Sequence, residues 1–368
     1  MQYTREDGCM AWLASGRLSY DCFSRLLEEF CSAESVYDAL QENGADALRD
    51  FVPAARLERL MATAGKKAMH QLLVAMQKHH IGILQQDDTH YPALLRHIND
   101  PPIALFYQGN PDCLDGRCIT MVGSRKASPA GVQATFKIAK ELSEAGVTVV
   151  SGMAVGIDTA AHQGCLEGGS PTAAVLACGL DIDYPSENAG LKHRLLEKGG
   201  VLFSEYPPGT PALARHFPVR NRILSGVSKA VIMMECRPQS GSMHTVQHAL
   251  DQGRDIYAYP GRIDTPWAKG AHQLLREGAT YFTCADDILT DMNWNGETRA
   301  KQEAVKRDLP PLTETQRKIL QALAVEEKSY DQLAAETGIP PTELSAALTL
   351  LHLRGSIRPL PGKMYTKT

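Results

Sequence analysis

The chain has 368 residues, 43% of them hydrophobic and 22% charged, a balance that excludes a disordered or fibrous protein. At roughly 150 residues per domain it has room for two or three domains. Its net charge of -4 excludes a uniformly basic polyanion coat, so any nucleic acid must be held by a local cluster.

Nine scattered cysteines without a CxxC pair argue against a disulfide scaffold or a zinc ribbon, and for a reduced cytosol. No apolar run approaches the roughly 18 residues of a membrane span, and Asp7, Asp21, Glu28 and Glu29 interrupt the first thirty positions. A cytoplasmic chain with no membrane partner is expected.

Residues 1–84 read as a helical domain, with apolar spacing at Phe23-Leu26-Leu27-Phe30 and Leu57-Leu60-Met61. Turn chemistry at Tyr91-Pro92, Pro101-Pro102 and Gly109-Asn110-Pro111 marks the passage to a second domain, 85–294, with a short edge strand at 103–107. Short apolar runs at 118–122, 147–150, 173–178, 201–203, 230–235 and 256–259 each precede a helical segment. Uninterrupted apolar strands between helices predict a doubly wound, mainly parallel α/β sheet of at least six strands. Ligands of such sheets sit outside the carboxyl ends of the strands, so the strand-to-helix loops are the candidates. Residues 295–311 read as a linker. Within 312–368, three short helices and a terminal hairpin predict a winged helix.

Four loops stand out. Gly123-Ser124-Arg125-Lys126-Ala127-Ser128-Pro129 follows the first strand, with Ser128 at a helix N-cap and Pro129 in the first turn. Helix N–H groups beside two cations suit an anion, although a merely well-capped helix reads the same way. Ser151–Asp158 holds Gly152 and Gly156, which fit either a close backbone approach to a ligand or a structural turn. Ser240-Gly241-Ser242 and Pro260-Gly261-Arg262 are further amide-rich turns.

Two long stretches, 116–140 and 206–234, contain no Asp or Glu yet are rich in cations. The second holds His216-Phe217-Pro218-Val219-Arg220-Asn221-Arg222, an aromatic among cations and an amide. Stacking on a base while gripping phosphate requires such a set; a core phenylalanine beside solvated arginines is the other reading. His162 reads as a packed or capping histidine. The dinucleotide fingerprint GxGxxG, the phosphate loop GxxxxGK[ST], GxSxG and HExxH are all missing, so no cofactor, metal or catalytic residue is expected.

With these residues in hand, the chain closely resembles the DNA-processing protein A family (DprA, also called Smf). The matching stretches are MVGSRKASPAG from Met121, SGMAVGIDTAAH from Ser151, LACGLDIDYPSEN from Leu176, FSEYPPGTP from Phe203, HFPVRNRILSGVS from His216, SGSMHT from Ser240 and YPGRIDTPWAKGAHQLLREGA from Tyr259. The resemblance implies an extended Rossmann-like core, often dimeric, behind a helical module similar to sterile-alpha-motif or helix-hairpin-helix domains. It implies a cytosolic protein that binds incoming single-stranded DNA in natural transformation and loads the RecA recombinase, without catalytic turnover. It puts the family's DNA-binding arginine on Arg125 and its stacking phenylalanine on Phe217, with His216 as a further cation position. Val155 stands where many members have a longer side chain, and His272 where an asparagine is usual.

The expected DNA-binding set is therefore Gly123, Ser124, Arg125, Lys126, Ser128, Gly152, Gly156, His216, Phe217, Arg220, Asn221, Arg222, Ser240 and Gly241. The alternative function is a nucleotide-processing enzyme of the phosphoribohydrolase-like Rossmann class. Such enzymes share a PGGxGTxxE signature; the nearest stretch here, 240–247, lacks its double glycine and glutamate.

Overall fold

A computed structural model describes residues 3–294, 312–324, 326–353, 356–360 and 364–367. The chain divides into two compact units, 1–295 and 296–368.

The first unit opens with five helices: α1 (Arg5–Ser15), α2 (Tyr20–Phe30), α3 (Ala33–Asn43), α4 (Ala54–Thr63) and α5 (Lys66–Lys78). They close around Trp12, which is fully buried, donates its indole N–H to the Leu60 carbonyl at 3.0 Å and meets the Tyr37 ring edge-on at 5.1 Å. A large aromatic can be buried at this depth because its polar atom has a partner. This core runs on without a break into Ile103, Phe106, Leu176 and Leu202, so the helical layer packs directly on the sheet.

The sheet has nine strands: β1 (Gly82–Leu84), β2 (Leu105–Gly109), β3 (Arg117–Val122), β4 (Val147–Ser151), β5 (Thr172–Val175), β6 (Val201–Ser204), β7 (Ala230–Met233), β8 (Asp255–Ala258) and β9 (Thr280–Tyr281). Their order is β1-β2-β6-β5-β4-β3-β7-β8-β9. All pairs from β6 to β9 are parallel, whereas β1 and β2 are antiparallel additions. The doubly wound reading therefore holds, with one correction. Residues 82–84, expected to end the helical domain, form the outermost strand of the sheet through the Gly82–Tyr107 to Leu84–Leu105 register.

Seven helices cover the faces: α6 (Pro129–Glu144), α7 (Ile157–Gly168), α8 (Ala189–Glu197), α9 (His216–Gly226), α10 (Met243–Asp251), α11 (Lys269–Arg276) and α12 (Ala285–Asp291). Strand periodicity sorts the core. Ile119, Met121, Ala230 and Ile232 face α6, α7 and α12, while Cys118, Val122, Val231 and Met233 face α9, α10 and α11. Both faces being dry explains why the strands read as continuous apolar runs.

β3 lies between β4 and β7, and the chain moves outward from it in both directions. That is the topological switch point, where the loops leaving β3 and β7 part to opposite faces and open a crevice.

The second unit contains α13 (Glu314–Ala322), α14 (Tyr330–Thr337) and α15 (Pro341–Leu353), with β10 (Lys328–Ser329), β11 (Ile357–Leu360) and β12 (Met364–Lys367) in the order β10-β12-β11. Three helices packed on Ile319, Leu333, Leu348 and Leu351, plus a small antiparallel sheet, form the expected winged helix. The predicted linker 295–311 lies outside the described residues, as does Arg354.

Candidate nucleic-acid interface

A cleft of about 740 Å³ opens at the switch point. Its first wall is the loop after β3. Ser128 caps α6 by accepting from the Gly131 N–H at 3.0 Å. Glu235, at the end of β7, then accepts from the Ser128 N–H at 2.8 Å and from its hydroxyl at 2.7 Å. The Ser124 N–H donates to the Glu235 carbonyl at 2.6 Å, and the Ser124 carbonyl accepts from Ile157 at 3.2 Å. Gly131 makes room for this clamp, since a Cβ there would stand 2.3 Å from the Glu235 carboxyl carbon. The loop is tied at both ends, which leaves Arg125 and Lys126 exposed on a fixed backbone.

The opposite wall is one face of α9. Phe217, Arg220, Asn221 and Leu224 all line the cleft, the i, i+3, i+4, i+7 stripe of a helix. The Phe217 ring is half-buried; the Arg125 guanidinium sits 4.7 Å from its centroid and the Tyr184 ring 5.8 Å away. The Asn221 amide donates to the Gly241 carbonyl at 3.2 Å, joining α9 to the Ser240-Gly241-Ser242 turn. Arg237 and Trp267 complete the rim, with the guanidinium 4.3 Å from the indole. A second cation–aromatic pair thus lines the same crevice.

Nine of the fourteen expected residues line this cleft: Gly123, Ser124, Arg125, Lys126, Phe217, Arg220, Asn221, Ser240 and Gly241. The other five do not. Ser128 is turned to Glu235. The Gly152 N–H is already given to Asp158 at 3.2 Å. Gly156, at φ 84°, packs its Cα against the Ser124 and Arg125 carbonyls, where a Cβ would come within 2.5 Å. These glycines fit loop to loop rather than loop to ligand.

His216 is fully buried, stacked on Tyr206 at 4.3 Å, with its Nδ1 3.1 Å from the Ala177 carbonyl. Burial, with Arg17 adding to it, lowers its pKa, so it is a neutral ring and no cation for DNA. Arg222 points away from the cleft, bidentate to Glu205 at 2.7 and 3.1 Å.

Arg220 also departs from a phosphate-gripping role. It is buried beneath Phe217 and donates to the Gly152 carbonyl at 3.0 Å and to that of Val175. Burial pushes its pKa down to about 10, partly offset by Asp158. Asp158 itself is held above the usual carboxylate range by burial. Arg220 therefore carries the floor of the cleft. Beside it, His162 accepts or donates at Thr172 (2.8 Å), and burial lowers its pKa to about 3, so it is packed and neutral.

Arg237, Trp267 and Tyr184 were missed by motif reading. Arg237 had a signal, since it follows β7 on the loop nearest the switch point; Trp267 and Tyr184 had only their residue type. Among the described residues no group of three or more His, Cys, Asp and Glu is placed to hold a metal.

The fold and cleft define a doubly wound α/β protein with a cationic, aromatic-rimmed crevice at its switch point, and with a winged helix as a separate unit. Residues 82–293 match the family described as DNA recombination-mediator protein A, and 303–363 match the DprA winged helix domain. The chain belongs to this DNA recombination-mediator family. The DNA processing protein DprA of Streptococcus pneumoniae is 41% identical over 207 residues, 56% of this chain and 73% of that one. Protein Smf of Escherichia coli is 34% identical over 307 residues, 81% and 80% of the two chains. The X-ray structure of the pneumococcal protein superposes with a TM-score of 0.65 at 34% identity, covering 79% of this chain and 98% of that one. A DprA structure from Helicobacter pylori, described for its single-stranded DNA binding mode, gives 0.53 at 26% identity over 58% and 96%. No helix among the described residues is long and apolar enough to cross a membrane.

Proposed function

We propose that this chain binds single-stranded DNA in the switch-point cleft, protects it, and hands it to a RecA-type recombinase during uptake of foreign DNA, acting as a homodimer in the cytoplasm. The observation that carries this reading is the Arg125–Phe217 pair at 4.7 Å in an open cleft. A fixed cation and an aromatic face side by side offer one contact to a phosphate and one to a base. The relative described by its single-stranded DNA binding mode supports the same ligand.

The cleft is read as a binder without turnover. Glu235 and Asp158 are committed to backbone amides, and His162 is sealed from solvent. Among the described residues that line the cleft, the one carboxylate, Asp158, is held by two backbone amides, which disfavours the nucleotide-processing alternative.

The test is titration of labelled oligo(dT) against a blunt duplex of equal length. Tighter binding of the single strand, weakening with salt at a log–log slope of about -0.7 per phosphate neutralised, is expected. Equal affinity for the duplex overturns the proposal.

A further inference from the structure

α9 has a second face. Opposite the cleft stripe, Arg215, Val219 and Arg222 border a separate cavity of about 430 Å³ between the helical layer and the sheet. From the other side α4 supplies Arg56 and Arg59, and the turn after α1 supplies Arg17. Five arginines thus border one hollow. Only Arg222 is neutralised, by Glu205 at 2.7 Å and Asp100 at 3.5 Å. Arg17, Arg56, Arg59 and Arg215 make no salt bridge among the described residues. Mutually repelling cations around a cavity are a standing attraction for an anion.

The wall beside these arginines is aromatic. The neutral His216 ring also lines this cavity, stacked on Tyr206. The Arg17 guanidinium stands 5.3 Å from the Tyr206 ring at the cavity wall.

We propose that this cavity is a second phosphate subsite, which takes the backbone of the same single strand after it leaves the switch-point cleft across the first turn of α9. The two sites are the two faces of one helix about 10 Å across. Ala212 and Ala214 belong to the cleft and Arg215 to the cavity, so small residues form the sill between them. The proposal rests on the single-stranded DNA reading above. It gives the helical layer a role as the far jaw of an extended track.

The test compares oligo(dT) of minimal binding length with a strand several-fold longer, on the full chain. In the triple variant Arg56→Gln, Arg59→Gln, Arg215→Gln, the salt slope for the long strand should become shallower by about 2, at about 0.7 per cation. The short strand should bind as before. Arg59→Glu, a single change on an exposed position, should lower long-strand affinity with an unchanged thermal midpoint, which separates the effect from misfolding.

An unchanged long-strand slope in the triple variant overturns the subsite. So does arginine-dependent binding of free dTMP with the long-strand slope unmoved, because the cavity then serves a free nucleotide. Arg125→Ala run in parallel keeps the two ideas apart. If it leaves both strands bound normally, the switch-point reading fails; if it weakens both while the triple variant weakens neither, only the second subsite fails.

Discussion

The guanidinium of Arg125, on the loop after β3, lies 4.7 Å from the ring centroid of Phe217, in the first turn of α9. The cation is exposed and the ring is half-buried. The two side chains should therefore fail in different ways when removed. Arg125→Ala should weaken binding to any single strand and make the salt slope shallower by roughly 0.7. Phe217→Ala should cost about 1–3 kcal/mol of binding with the slope nearly unchanged. Its loss should fall on base-bearing strands and spare an abasic strand of equal charge. Anisotropy titrations at several salt concentrations with both strands read this out.

Glu235 should behave as a positioning residue. It clamps Ser128 through two hydrogen bonds of 2.7 and 2.8 Å and makes no salt bridge among the described residues. Glu235→Ala should weaken single-strand binding several-fold with an unaltered salt slope, because it loosens the loop that presents Arg125. Glu235→Gln keeps an acceptor for the Ser128 N–H and should restore part of the loss. Gly131→Ala, which drives a Cβ into the same carboxylate, should copy the alanine variant.

Removing Arg220 should unfold rather than merely unbind. Arg220→Ala strands the Gly152 and Val175 carbonyls and leaves Asp158 without its nearest opposing charge. Breaking a buried, hydrogen-bonded charge in this way costs about 3–5 kcal/mol, visible in a urea melt. Arg220→Lys should rescue little, because one ammonium cannot reproduce the planar fork.

His162 sets an acid limit on stability. Its folded pKa, lowered to about 3 by burial, lies below the 6.5 of an exposed ring. Between these values the unfolded chain binds the extra proton, so stability is fully present above pH 6.5 and falls as pH drops toward 3. The contribution approaches about 1.4 kcal/mol per pH unit. Urea midpoints at pH 7 and pH 5 should differ less in His162→Gln than in the parent chain.

The winged helix should add little to single-strand affinity. Residues 341–353 of α15 include no Arg or Lys, whereas a groove-reading helix needs cations or amides facing outward. A chain ending at residue 308 should bind oligo(dT) within about twofold of the full protein. Loss of most affinity would instead give this domain a direct part in holding DNA.

The parallel strands, the flanking helices and the loop after β3 were legible in the residues, because dry strands and capped helices leave periodic and positional marks. The cationic helix α9 was legible only as a composition. Arg220 and Arg222 are two residues apart and so point nearly 200° away from each other on a helix, which the pattern alone already forbids from sharing one face. Which face meets the cleft depends on where β3, β5 and β6 set the helix down.

The sequence by itself determined the doubly wound class, the winged helix and the two acid-free stretches, since each follows from local periodicity and charge. Tertiary structure alone decided what each cation does. Arg125 rests on the Phe217 ring without a carboxylate partner among the described residues, because Glu235, just past β7, is taken up in pinning its loop. Arg220 is spent on carbonyls of two other segments, and Arg222 on Glu205. A charge near a backbone carbonyl or a carboxylate is no longer available to a phosphate, and those partners lie far away along the chain, where no local pattern records them.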